Sequence, residues 1–145
     1  MGDFIRFLAS DCTLTLKEVE ALFKALDESF SFIIDPSAPT HCEVFFGSEV
    51  LAAIEINRAE EDIFEEDIEA LIEDVTALDE PRKAAVLSGL RSARWMLAME
   101  LFSEGHTAYD RIDQVWDMLF ERCGGLLQID DEGFYDIDGE VLSLE

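Results

Sequence analysis

Residues 126–145 read LLQIDDEGFYDIDGEVLSLE, three short runs of strand-forming residues separated by two turn signals. Asp138-Gly139 is the sharper signal. A type I′ turn puts both central residues at φ > 0, which Asp and Gly accept cheaply. Asp130-Asp131-Glu132-Gly133 is the longer turn before it. A fainter copy of this meander lies at residues 32–56. Phe32-Ile33-Ile34-Asp35 is followed by a loop with Pro36 and Pro39, then Cys42-Glu43-Val44-Phe45-Phe46, Gly47-Ser48 and Glu49-Val50-Leu51. Glu49-Val50-Leu51 returns as Glu140-Val141-Leu142, and Ile33-Ile34-Asp35 is echoed by Gln128-Ile129-Asp130. Asp35 precedes Glu49 by 14 positions and Asp130 precedes Glu140 by 10, so the first copy carries the longer loop.

The elements ahead of each meander match as well. Phe4 to Ala9 (FIRFLA) reads as a short strand, nearly all apolar and so covered on both faces. Thr15 and Glu18 form a capping box, and Leu16, Val19, Leu22, Phe23, Leu26 and Phe30 then recur at helical spacing. In the second half, Arg94 to Phe102 reads as a buried strand, with Trp95, Leu97, Met99 and Leu101 alternating onto one face. Thr107-Ala108-Tyr109-Asp110 opens a helix with Tyr109, Ile112, Trp116, Leu119 and Cys123 on one side, stopped by Gly124-Gly125. Residues 82–102 also tolerate one long helix. The repeat favours a helix to about Ala93 followed by the strand.

Between the units, a helix runs from about Asp62 to Leu78 on a stripe of Phe64, Ile68, Leu71, Val75 and Leu78. Asp79-Glu80-Pro81 ends it and starts the next. The expected fold is a single α+β domain over residues 1–145. It has a mostly antiparallel sheet of about eight strands with helices packed on it, and a pseudo-twofold duplication of a strand-helix-meander unit. The units fall at about 3–57 and 94–145, joined by helices over about 62–93.

Charge is the chain's most unusual property. Ten basic residues stand against 34 acidic ones, a formal net charge of −24. Eleven acids and no base fall within residues 59–81, and no base follows Arg122. Such a field argues against nucleic acid and anionic membranes as partners and attracts basic proteins; it also keeps a protein soluble. No apolar run reaches the length of a membrane span and Met1-Gly2-Asp3-Phe4 does not open a signal peptide, so a cytoplasmic protein is expected. Cys12, Cys42 and Cys123 are widely spaced and odd in number, which argues against a disulfide framework and against a metal site.

Catalytic signatures are absent from the sequence. Asp136-Ile137-Asp138-Gly139 has the DxDG form, but no register of it meets the ligand positions of an EF-hand, so it reads as a turn. His41 and Cys42 are neighbours in a strand, where side chains point to opposite faces, so Cys42 is expected to be buried and His41 to stand apart from it. His106 lies in a loop before a helix. Trp95 and Trp116 fall on apolar faces and are expected in the core. No cofactor is implied.

The leading expectation is a non-enzymatic interaction protein of the inhibitor or immunity type. Its acidic helix, through Glu65, Glu66, Glu69, Glu73 and Asp74, would steer a basic partner. The likeness to such proteins is one of composition. The alternative is an enzyme or small-ligand binder with a cleft between the repeats and His41 and His106 as polar groups. A third reading is a homodimer formed through a sheet edge or apolar helix faces.

Overall fold

A computed structural model describes residues 4–102 and 109–143. In chain order the elements are β1 (Phe4–Ala9), α1 (Leu16–Leu26), β2 (Phe30–Asp35), β3 (Ala38–Phe46), β4 (Glu49–Arg58), α2 (Asp62–Thr76), α3 (Lys83–Ser92), β5 (Trp95–Leu101), α4 (Tyr109–Cys123), β6 (Leu126–Ile129), β7 (Gly133–Asp136) and β8 (Gly139–Ser143). All eight strands join one antiparallel sheet in the order β2-β3-β4-β5-β1-β6-β7-β8. The expected α+β class, and the break between a helix and a strand within residues 82–102, are both observed.

The period of two in the central strands sorts their side chains into two cores. Ile5, Phe7 and Ala9 of β1, with Trp95, Leu97 and Met99 of β5, point to the face carrying α1 and α4. Leu8 and Met96 point to the other face, where α2 and α3 bring Phe64, Ile68, Leu71, Val75, Val86 and Leu90. Both central strands are therefore covered on both sides. Trp95 is fully buried, and its indole nitrogen donates to the Leu14 carbonyl at 3.2 Å. Trp116 is also in the core, near-parallel to Phe7.

The capping box forms as expected. The Thr15 hydroxyl accepts from the Glu18 amide, and the Glu18 carboxylate accepts from the Thr15 amide. These bonds hold the Glu18 carboxyl below the usual carboxylate range, with a smaller contribution from Arg122. Helices α1 and α4 run antiparallel, as their ion pairs at both ends require: Glu18 with Arg122 at 3.7 Å and Asp27 with Arg111 at 2.9 Å. At the far end of α4, Gly124 adopts φ 64° and its amide reaches the Phe120 carbonyl, the left-handed cap that the glycine pair signals. Gly125 follows at φ 104°, and a Cβ there would sit 2.2 Å from the Leu8 carbonyl oxygen. Only glycine fits where β6 turns in beside β1.

Four features differ from the sequence expectation. Cys12 and Cys123, 111 positions apart, are joined as a disulfide with Cα atoms 5.3 Å apart. Antiparallel packing of α1 on α4 brings Cys12, in the segment leading into one helix, to the last residue of the other, which spacing alone cannot show. Cys42 is left as the free thiol among the described residues and is buried, as expected.

The Asp138-Gly139 hairpin is not a type I′ turn. Asp136 pairs with Gly139, so the loop is Ile137-Asp138, and only Gly139 has positive φ (120°). The Asp136 carboxylate accepts from the Asp138 amide at 2.8 Å, an Asx-turn that supplies the reversal without a left-handed aspartate. The first meander turns in a similar way: Asp35 accepts from the Ser37 amide, and β3 already begins at Ala38. Pro39 is thus inside a strand rather than in the loop. It is tolerated because the β2–β3 register jumps between Asp35–Ala38 and Ile34–Cys42, leaving positions 39–41 unpaired on that side.

The repeat is one of element order and does not extend to the sheet. A twofold exchange of the units would pair β5 with β2 just as β1 pairs with β6. Instead β5 pairs with β4, so the first meander attaches by its last strand and the second by its first.

Candidate functional site

Helix α2 has three distinct sides. Phe64, Ile68, Leu71 and Val75 point inward. One hundred degrees per residue then places Asp67, Ala70 and Asp74 along one flank, Glu65, Glu69 and Ile72 along the other, and Asp62, Glu66 and Glu73 on the outer surface. The five acids expected to act together are therefore split. Glu66 and Glu73 face solvent. Glu65 and Glu69 line the groove shared with Leu90 and Arg91 of α3. Asp74 lines a separate cleft on the opposite flank.

That cleft has a volume of about 350 Å³ and lies between α2 and the β6–β7 hairpin, with Arg6 among its lining residues. Arg6 is the one charged residue in β1 and points to the α2 side of the sheet. One guanidinium nitrogen donates to the Gln128 side-chain oxygen at 2.9 Å and to an Asp130 carboxylate oxygen at 3.1 Å. Its Nε lies 3.6 Å from Asp67, and the guanidinium carbon sits 4.5 Å from the centre of the Phe4 ring. Gln128, only 2 % exposed, passes the network on by donating to Asp130 at 2.7 Å. Asp131 also lines the cleft, held at φ 65° in the hairpin turn. One arginine therefore faces four aspartates, Asp67, Asp74, Asp130 and Asp131, and the cleft keeps a negative balance.

These cleft residues were not singled out from sequence, apart from Asp74. The available signal was Arg6 itself, an isolated charge in FIRFLA. A strand covered on both faces cannot leave a guanidinium unpaired, so its far-side neighbours had to include carboxylates.

His41 and Cys42 point to opposite faces of β3. Cys42 is 1 % exposed, and burial pushes its thiol up to about 12, with Glu20 and Glu43 adding to the shift. A protonated, enclosed thiol is not a nucleophile at neutral pH. His41 is exposed and lies opposite Glu55 on β4, above a shallow groove with Ile33, Ala53 and Phe102. His106 and the Thr107 capping box lie outside the described residues. The strands that open the two units, β1 and β5, are hydrogen-bonded neighbours, so continuous sheet joins the units. The cleft takes Arg6 from the first unit and Gln128, Asp130, Asp131 and Phe134 from the second, with α2 alongside.

Among the described residues no cluster of His, Cys, Asp and Glu has the arrangement of a metal site, and no helix is long and apolar enough to cross a membrane. The chain matches no protein-family model, no curated protein and no solved structure.

Proposed function

We propose that the protein is a non-enzymatic interaction module that binds a basic protein partner through α2 and the adjoining cleft, in the manner of an inhibitor or immunity protein. The observation that carries this reading is the state of the α2 acids. Asp62, Glu65, Glu66, Asp67, Glu69, Glu73 and Asp74 lie on one helix, and among the described residues only Asp67 has a basic partner within ion-pair distance. Like charges at i, i+3 and i+4 cost about 0.2–0.5 kcal/mol per pair in an isolated helix. A cationic surface would reverse that cost on docking, and the long-range field would speed encounter.

The test is capture from host lysate with the purified protein as bait, at low and high salt. A parallel bait carries Glu65, Glu66, Glu69, Glu73 and Asp74 changed to lysine. A basic protein retained at low salt by the wild type and lost by the variant supports the reading. Equal retention by both baits overturns it.

A further inference from the structure

We infer that the bare half of the sheet, on the same face as α2 and α3, is a docking surface for an amphipathic, basic segment of another protein. Helices α1 and α4 face a core that takes in side chains from β2 through β7. On the opposite face, α2 and α3 cover Leu8, Met96, Leu126, Phe134 and Leu142, which lie from β5 outward to β8. Across β2, β3 and the part of β4 ahead of the buried Asn57, that face carries no helix among the described residues. The groove there has a volume of about 430 Å³ and is lined by Ile33, His41, Glu43, Ala53 and Phe102. Ile33 is 58 % exposed and Phe102 47 %, two of the four large apolar residues exposed in the described chain, and they share this one groove. Apolar anchors in a concave, partly polar setting are what a protein interface core requires.

Charge complementarity identifies the occupant. Asp35 and Glu43 line the groove, and Glu55 and Glu100 flank the small pocket beside it. No lysine or arginine occurs between Lys24 and Arg58, so β2 and β3 contain no strong base, nor does β5. Two copies meeting face to face would set these carboxylates against each other in a chain of net charge −24, which opposes self-association. Addition of a strand beside β2 is also opposed. The Phe32 amide is already taken by the Glu20 carboxylate at 2.7 Å, and the Phe30 amide by the Asp27 carbonyl. The segment therefore lies across the face, with apolar side chains on Ile33 and Phe102 and lysines or arginines toward the rim.

This surface is separate from α2, so the experiment reads position as well as affinity. The probe is a short synthetic peptide of alternating leucine and lysine, titrated into isotopically labelled protein with amide shifts followed by NMR. A lysine–serine peptide of equal length and charge is the control. Perturbation of Ile33, His41, Glu43 and Ala53 is expected with the leucine peptide and not with the control. Ile33→Ser with Phe102→Ser should weaken binding about tenfold or more, since both anchors lose their apolar contact, while a charge reversal on α2 leaves these shifts in place. Shifts confined to α2, or no binding, would overturn the proposal. A concentration-dependent dimer in sedimentation that Ile33→Ser abolishes would overturn it in favour of a second copy.

Discussion

Replacing Arg6 with methionine removes a guanidinium and keeps most of the aliphatic bulk, so the cost comes from the groups left behind. The Gln128 oxygen, in a side chain 2 % exposed, loses its donor, and an orphaned buried acceptor costs about 1–3 kcal/mol. The pairs with Asp130 and Asp67 count for less. Those side chains are 43 % and 35 % exposed, and solvent screening limits each pair to about 0.5 kcal/mol. The total is about 2–4 kcal/mol, or roughly 5–15 °C in Tm for a domain of this size. Urea unfolding at low salt measures it. Adding Gln128→Leu to Arg6→Met removes the orphaned oxygen and should recover about half the loss, a coupling that a double-mutant cycle isolates. Higher salt should shrink the remainder by screening the uncompensated aspartates. A loss below about 0.5 kcal/mol, or strictly additive effects of the two substitutions, would refute the account of the cleft as a network organised by Arg6.

Three further outcomes follow from the core and the helices. Trp95→Phe should cost about 1 kcal/mol more than Trp116→Phe in chemical unfolding, because the first strands the Leu14 carbonyl while the buried Trp116 indole nitrogen has no acceptor to lose among the described residues. The native, unreduced protein should show no reactive thiol, since Cys42 is enclosed and Cys12 is paired with Cys123. Reduction should lower stability by up to about 4–5 kcal/mol, the loop-entropy value for a crosslink of this span, read as a shift in urea midpoint. Burial, then the charges of Asp110, Asp117 and Glu132, pushes the Asp113 carboxyl up. A raised folded value means this group's contribution to stability falls as pH rises from the unfolded value through the folded one. Asp113→Asn should therefore stabilise the protein near neutral pH and lose that advantage in acid. The residue as a whole is exposed, so the gain is small.

Much of the architecture was legible because it rests on local rules. The Thr15 box, the alternation through Trp95–Leu101 and the Gly124 cap are each decided by a few neighbouring residues, and each appears where expected. What the sequence did not disclose depends on which elements meet. The Cys12–Cys123 link needs the antiparallel contact of α1 with α4. The Arg6 cleft needs β1 beside β6 and under α2, joining residues more than a hundred positions apart. The acidic helix forms where its apolar stripe predicts, and its acids spread over more than one side, since Glu65 and Asp74 differ by half a turn in direction once that stripe is seated. The hairpin at Ile137-Asp138 shows the same limit at short range: Asp-Gly marks a reversal, but the Asx bond of Asp136 decides which two residues form it.

The most direct test of the central claim is the association rate with a captured basic partner as a function of ionic strength, for the wild type and for the variant with α2 acids reversed to lysine. Electrostatic steering by α2 predicts a wild-type rate that falls about tenfold or more from low to high salt, and a slower, nearly flat profile for the variant. Two profiles with the same slope would contradict it, and the charge of α2 would then have no part in recognition.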